Sequence, residues 1–121
     1  MRRSKARMGS LSRQKGKRVE REAAAAVADA LACEARRSVQ FCGRAGDADL
    51  TTTIEGVHFE VKARAAHSCF RFYEQAEEDA AGKAIPVVLL REDGERRFLA
   101  LVDLNHVRDL AVRICRVGEM P

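Results

Sequence analysis

Ala48-Asp49-Leu50-Thr51-Thr52-Thr53-Ile54-Glu55-Gly56-Val57-His58-Phe59-Glu60-Val61-Lys62 reads as two strand-like runs hinged on Glu55-Gly56. The β-branched content favours extended backbone, and a glycine at the hinge suits a tight turn, so Ala48 to Ile54 and Val57 to Lys62 are expected to pair as a hairpin. In the second run Val57, Phe59 and Val61 alternate with His58, Glu60 and Lys62. A carboxylate and an ammonium therefore project from one face of the strand, two residues apart, and that face is expected to be the polar one. Alone, Glu-x-Lys on a strand is an ordinary cross-neighbour ion pair.

Working outward, Ala35 to Phe41 is a further strand-like run, joined to the hairpin by a looser connection at Gly43 to Gly46. Upstream, Val19, Ala23, Val27, Ala30 and Leu31 recur at three-and-four spacing and predict a helix from about Gly16 to Cys33. Downstream, a helix is expected from near Ser68, as its cap, through Phe70, Tyr73, Ala76 and Ala80 to a stop at Gly82. Ala84 to Leu90 is almost wholly apolar and reads as a buried strand with Pro86 near its beginning. Asp93-Gly94 turns into a strand at Arg97 to Val102, and Leu104 to Arg113 forms a last helix. The class is α/β with one central sheet, the helix after the hairpin crossing one face of it.

With 121 residues, 46% of them apolar and 33% charged, the chain has the size and balance of one globular domain. The formal charge of +4 is uneven, because Arg2, Arg3, Lys5, Arg7, Arg13, Lys15, Lys17 and Arg18 all precede the first acid, Glu20. Residues 1–14 are expected to form a basic flexible arm suited to phosphates, and 15–121 a single domain. Cys33, Cys42, Cys69 and Cys115 include no C-x-x-C pair and read as free thiols. A zinc set of Cys42, His58, His67 and Cys69 has no standard spacing. No apolar run approaches the roughly 20 residues of a membrane helix, so a cytoplasmic protein without a membrane partner is expected.

Asp49 changes the meaning of Glu60 and Lys62. A hairpin would set its strand beside theirs, and two carboxylates brought together repel unless a cation lies between them. Hard oxygen donors suit Mg²⁺ or Mn²⁺. Lys62 would then stand by a scissile phosphate, where its charge stabilises the developing anion. Asp47 and His58 are neighbouring candidates, the former as a turn residue, the latter as a histidine at the edge of the site.

Ala48-Asp49-Leu50 followed by Glu60-Val61-Lys62 resembles the motif of the PD-(D/E)XK nuclease superfamily, with alanine where proline is usual. Lys15-Gly16 and Glu20-Arg21 are similar to the corresponding helix of archaeal-type Holliday junction resolvases. Phe72-Tyr73-Glu74-Gln75-Ala76 and Ile85-Pro86-Val87-Val88-Leu89 resemble small phage-encoded PD-(D/E)XK endonucleases. The resemblance covers roughly Lys15 to Val102 and implies a restriction-endonuclease-like αβββαβ core, a central mixed sheet flanked by helices. It also implies that Glu20, Asp49, Glu60 and the Val61 carbonyl hold the metal. Lys62 would act on the water and phosphate, and Gln75 would position one or the other. Arg13, Lys15, Lys17, Arg18, Arg21 and Arg64 would contact DNA, with a branched substrate and a twofold homodimer as the expected partners. The resemblance implies a Holliday junction resolvase; a restriction-like, repair or flap nuclease of the same superfamily would use the same residues, and a basic nucleic-acid-binding module without catalysis is the competing reading from another class.

Overall fold

The structure, a computed structural model, describes residues 5–39, 48–65 and 68–117, with side chains given from residue 13 onward. In chain order it runs α1 (Lys5–Leu31), β1 (Ala35–Arg37), β2 (Leu50–Thr52), β3 (Val57–Arg64), α2 (Cys69–Ala80), β4 (Ile85–Glu92), β5 (Leu99–Leu101), a 3-10 turn (Leu104–His106) and α3 (Val107–Val117). The class is mixed α/β, and the order of elements is the one the sequence predicts. The Gly43 to Gly46 connection, Cys42, Asp47 and His67 lie outside the described residues.

β3 and β4 are parallel, from Val57 opposite Ile85 to Arg64 opposite Glu92, and α2 connects them. β5 pairs antiparallel on the other side of β4. β4 is thus central and covered on both faces, which explains its unbroken apolar run. Ile85, Val87 and Leu89 belong to the core under α1, whereas Val88 and Leu90 pack with Tyr73 and Ala76 of α2.

The single central sheet is not what forms. β1 and β2 make a two-stranded antiparallel sheet, while β3, β4 and β5 make a separate mixed one. Nor do β2 and β3 zip up as a hairpin ladder; the Asp49 N–H to Phe59 carbonyl bond, at 3.0 Å, joins them. The reason lies in the threonines. Thr52 Oγ1 accepts from the Ile54 N–H at 3.1 Å, a local bond, and the Thr53 N–H donates to the Glu34 carbonyl at 3.0 Å, so neither N–H is left for a β2–β3 ladder. This bend sends Ile54, only 2% exposed, into the core. The turn itself forms as expected, with Gly56 at φ 76° and the Arg113 guanidinium over it, donating to the Glu55 carbonyl at 3.1 Å.

α1 starts at Lys5 rather than near Gly16. No proline interrupts it, and Gly9 and Gly16 each cost only about 1 kcal/mol in a helix interior. Its buried stripe is Val19, Ala23, Ala24 and Val27; Ala30, expected in that stripe, is exposed. Glu22 pairs with Arg91 of β4, and Lys15 Nζ lies 2.8 Å from Asp93 Oδ1, so ion pairs fasten this helix to the far end of the sheet.

α2 turns Tyr73, Ala76 and Ala80 inward. The Tyr73 hydroxyl donates to the Pro86 carbonyl and accepts from the Asp103 N–H, both at 3.0 Å, bolting helix to sheet. Ser68 occupies the N-cap position, but its hydroxyl makes no cap bond. The helix ends one step before the expected glycine, because Ala81 itself turns left-handed at φ 52° and its N–H closes on Glu77 and Glu78. That conformation costs an alanine roughly 1 kcal/mol that glycine does not incur. Ala81→Gly should therefore raise stability by about 1 kcal/mol, read as a higher urea midpoint with unchanged slope.

Candidate active site

Asp49 is fixed where the two sheets meet. Its N–H donates to Phe59, its carbonyl accepts from the Ser38 N–H at 2.9 Å, and Oδ2 accepts from the Val61 N–H at 2.9 Å. Backbone and carboxylate are therefore both held against the free edge of β3.

On β3 the Glu60 carboxylate lies close enough to that of Asp49 for its charge to raise the Asp49 pKa. It also lies 2.6 Å, Oε1 to Nε2, from the His58 ring, which donates when Glu60 is ionised. His58 and Glu60 are 6% and 8% exposed, so this polar face is nonetheless buried, with Asp79 of α2 against it. Alternation along the strand separated the two faces correctly; the crossover helix decided that both would be buried.

Two neighbouring carboxylates away from bulk water carry an electrostatic signature. Burial first, then the neighbouring Glu60 charge, push the Asp49 pKa up to about 7; the Val61 N–H opposes this, and the Glu60 side chain and Glu20 add to it. Glu20 reaches the group from α1, its Oε1 accepting from Arg37 Nε at 3.2 Å. A cleft of about 350 Å³ opens here, its polar wall formed by Lys15, Glu20, Asp49, Lys62 and Arg64. Glu60 lies behind Asp49 rather than on that wall. Lys62 also places its Nζ 5.4 Å from the Phe72 ring centre, a cation–π contact that limits where the amine swings.

The structure thus gathers Glu20, Asp49, Glu60 and Lys62, which lie far apart in sequence. Val61 lines the same cleft, but the contact it makes with the carboxylates is through its N–H. Gln75 is exposed on α2 and is not among the cleft residues. Among the basic residues, Lys15 and Arg64 line the cleft, while Arg13, Lys17 and Arg21 are exposed along α1. Arg18 lies 4.0 Å from Glu22.

Two participants escaped the sequence reading. Arg37 sits on a three-residue strand, too short for its facing to be read. Asp79 brings a carboxylate oxygen within 4.8 Å of ligand atoms of both His58 and Glu60. Its signal was present: it follows Ala76 by three and precedes Ala80 by one, beside the inward stripe of α2.

Asp49, Glu60 and Glu20 offer oxygen donors of the kind Mg²⁺ or Mn²⁺ takes, and their mutual repulsion is the liability a cation would relieve. The donor type suits such an ion; among the described residues, the three ligand atoms that already lie within 4.8 Å of one another are those of His58, Glu60 and Asp79. Comparison with protein-family models, characterised proteins and solved structures finds no match to this chain.

The raised Asp49 pKa has a definite sign. Between its ordinary value of 3.8 and about 7 the folded protein keeps a proton that the unfolded chain releases, so this group's contribution to stability falls across that window and levels off above it. The full shift corresponds to at most about 4 kcal/mol, and water in the cleft reduces it to on the order of 1 to 2. With chelator present, Asp49→Asn should thus be more stable than the native chain near pH 8 and no more stable near pH 3.5. Parallel urea titrations at the two pH values check this, and equal shifts at both would contradict it.

Proposed function

We propose that this protein is a metal-dependent endonuclease that hydrolyses phosphodiester bonds in structured DNA, with a four-way junction as the favoured substrate. The observation that carries the reading is the meeting of Asp49, Glu20 and Lys62 on one cleft, with Glu60 behind Asp49 and with Lys15 and Arg64 on the same wall. The αβββαβ order, with β3 and β4 parallel across α2, is compatible with a restriction-endonuclease-like core of the PD-(D/E)XK kind.

Asp49, Glu60 and Glu20 would hold Mg²⁺ or Mn²⁺. When bound, such an ion supplies Lewis acidity and a more acidic water for attack on phosphorus. The chain's own groups do the rest. Lys62, steadied by Phe72, offsets negative charge that accumulates on the phosphate and orients the nucleophilic water. Val61, through its N–H, keeps one Asp49 oxygen occupied and so sets the direction of the other. Lys15 and Arg64 bind flanking phosphates, Lys15 exchanging Asp93 for the backbone, and the exposed Arg13, Lys17 and Arg21 extend the track along α1.

Symmetric cutting of a junction requires two sites related by a twofold axis, so the active form under this reading is a homodimer. No helix among the described residues is long and apolar enough to cross a membrane.

The test is incubation with Mg²⁺ and labelled four-way, flap, nicked and linear duplex DNA. Paired symmetric nicks confined to the junction are expected, and Asp49→Asn should lower the rate at least about a hundredfold, the scale on which lost charge stabilisation slows a reaction. A native protein silent on all four substrates would refute nuclease chemistry and leave a binding module. Separately, Arg64→Ala should weaken binding to every DNA about equally and reduce the salt slope by about one, measured by fluorescence anisotropy between low and moderate salt. An unchanged slope would remove Arg64 from the phosphate track.

A further inference from the structure

The group formed by His58, Glu60 and Asp79 lies on the α2 side of β3, away from the cleft wall. Its three ligand atoms lie within 4.8 Å of one another, yet the internal distances argue against a second cation there. Two oxygen or nitrogen donors bound to one small ion at about 2.1 Å each, at a right angle, sit about 3 Å apart. His58 Nε2 and Glu60 Oε1 are 2.6 Å apart, closer than that and at the short end for a charge-assisted hydrogen bond.

The surroundings of Glu60 explain why such a bond is needed. Its carboxylate lies near enough to Asp49 for the two charges to interact, and comes within 4.8 Å of Asp79. Repulsion from both favours swinging the flexible side chain out of this position, and an unsatisfied buried carboxylate costs several kcal/mol. His58 stands two residues earlier on the same strand face, is 6% exposed, and so offers a donor whose ring is locked by packing.

We propose that His58 is a positioning residue that holds the Glu60 carboxylate in the orientation it presents to Asp49. It acts on the metal site through Glu60 and is not itself a ligand. In this respect the inference rests on the metal-binding reading of Asp49 and Glu60.

Two measurements test it. Nitrogen-15 NMR of the imidazole in the full chain, with chelator present, should show Nε2 protonated and hydrogen-bonded. A ring protonated on Nδ1 alone, with Nε2 bare, would overturn the proposal whatever the metal does. Calorimetric titration with Mn²⁺ should then show His58→Ala weakened by about 10- to 100-fold, the range for loss of a group that orients a ligand. His58→Gln, whose amide still donates, should recover most of that loss. Should His58→Ala fail to fold, His58→Leu fills the volume without a donor and replaces it in the comparison with His58→Gln. Equal Mn²⁺ affinity in the donor-free variant and the native chain overturns the proposal. A native chain that binds no Mn²⁺ instead removes the metal-binding reading, and the NMR result still decides whether His58 holds Glu60.

Discussion

Everything at this site depends on the edge of β3 being read from three directions at once. One face of the strand turns Phe59 into the core under α1, the other turns His58 and Glu60 beneath α2, and the free edge is occupied by Asp49. A carboxylate in such a place is tolerable only when hydrogen bonds replace lost water. The Val61 N–H serves Asp49 and the His58 ring serves Glu60. The backbone bonds that Asp49 makes to Ser38 and Phe59 fix its position as firmly as a ladder would.

The helices then distribute charge. α1 lies close where Ala23 and Ala24 form half of its buried stripe, and this proximity brings Glu20 near Asp49 and Lys15 onto the wall of the cleft. Arg37 balances Glu20, and Lys62 and Arg64 line the same cleft, so acids and cations share one wall. α2 contributes in a different way, by closing the far side of β3 and excluding water from Glu60.

Much of this was legible in the residues themselves. Alternation along Val57 to Lys62 separated the two faces, the apolar run Ile85 to Leu90 marked the central strand, and the alanine-rich spacing marked α1. These features are local, with periods of two or about 3.6 that backbone geometry imposes on any chain. Boundaries were less legible. The start of α1 moved because two glycines are too weak a signal to stop a helix, and the hairpin gave way to hydroxyl bonds at Thr52 that compete with a ladder.

The sequence by itself determined the kinds of chemistry present: which residues are acids, that Glu60 and Lys62 share a strand face, and that an acid stands near the start of the preceding strand. Only the tertiary structure decided which acids meet. The nearness of Asp49 to Glu60, the approach of Glu20 with Arg37 behind it, the burial of His58, and the arrival of Asp79 from α2 all depend on the β3-α2-β4 crossover and the packing of α1. Those distances are set by long-range burial of Phe59, Val87 and Val88, which no short window of sequence encodes.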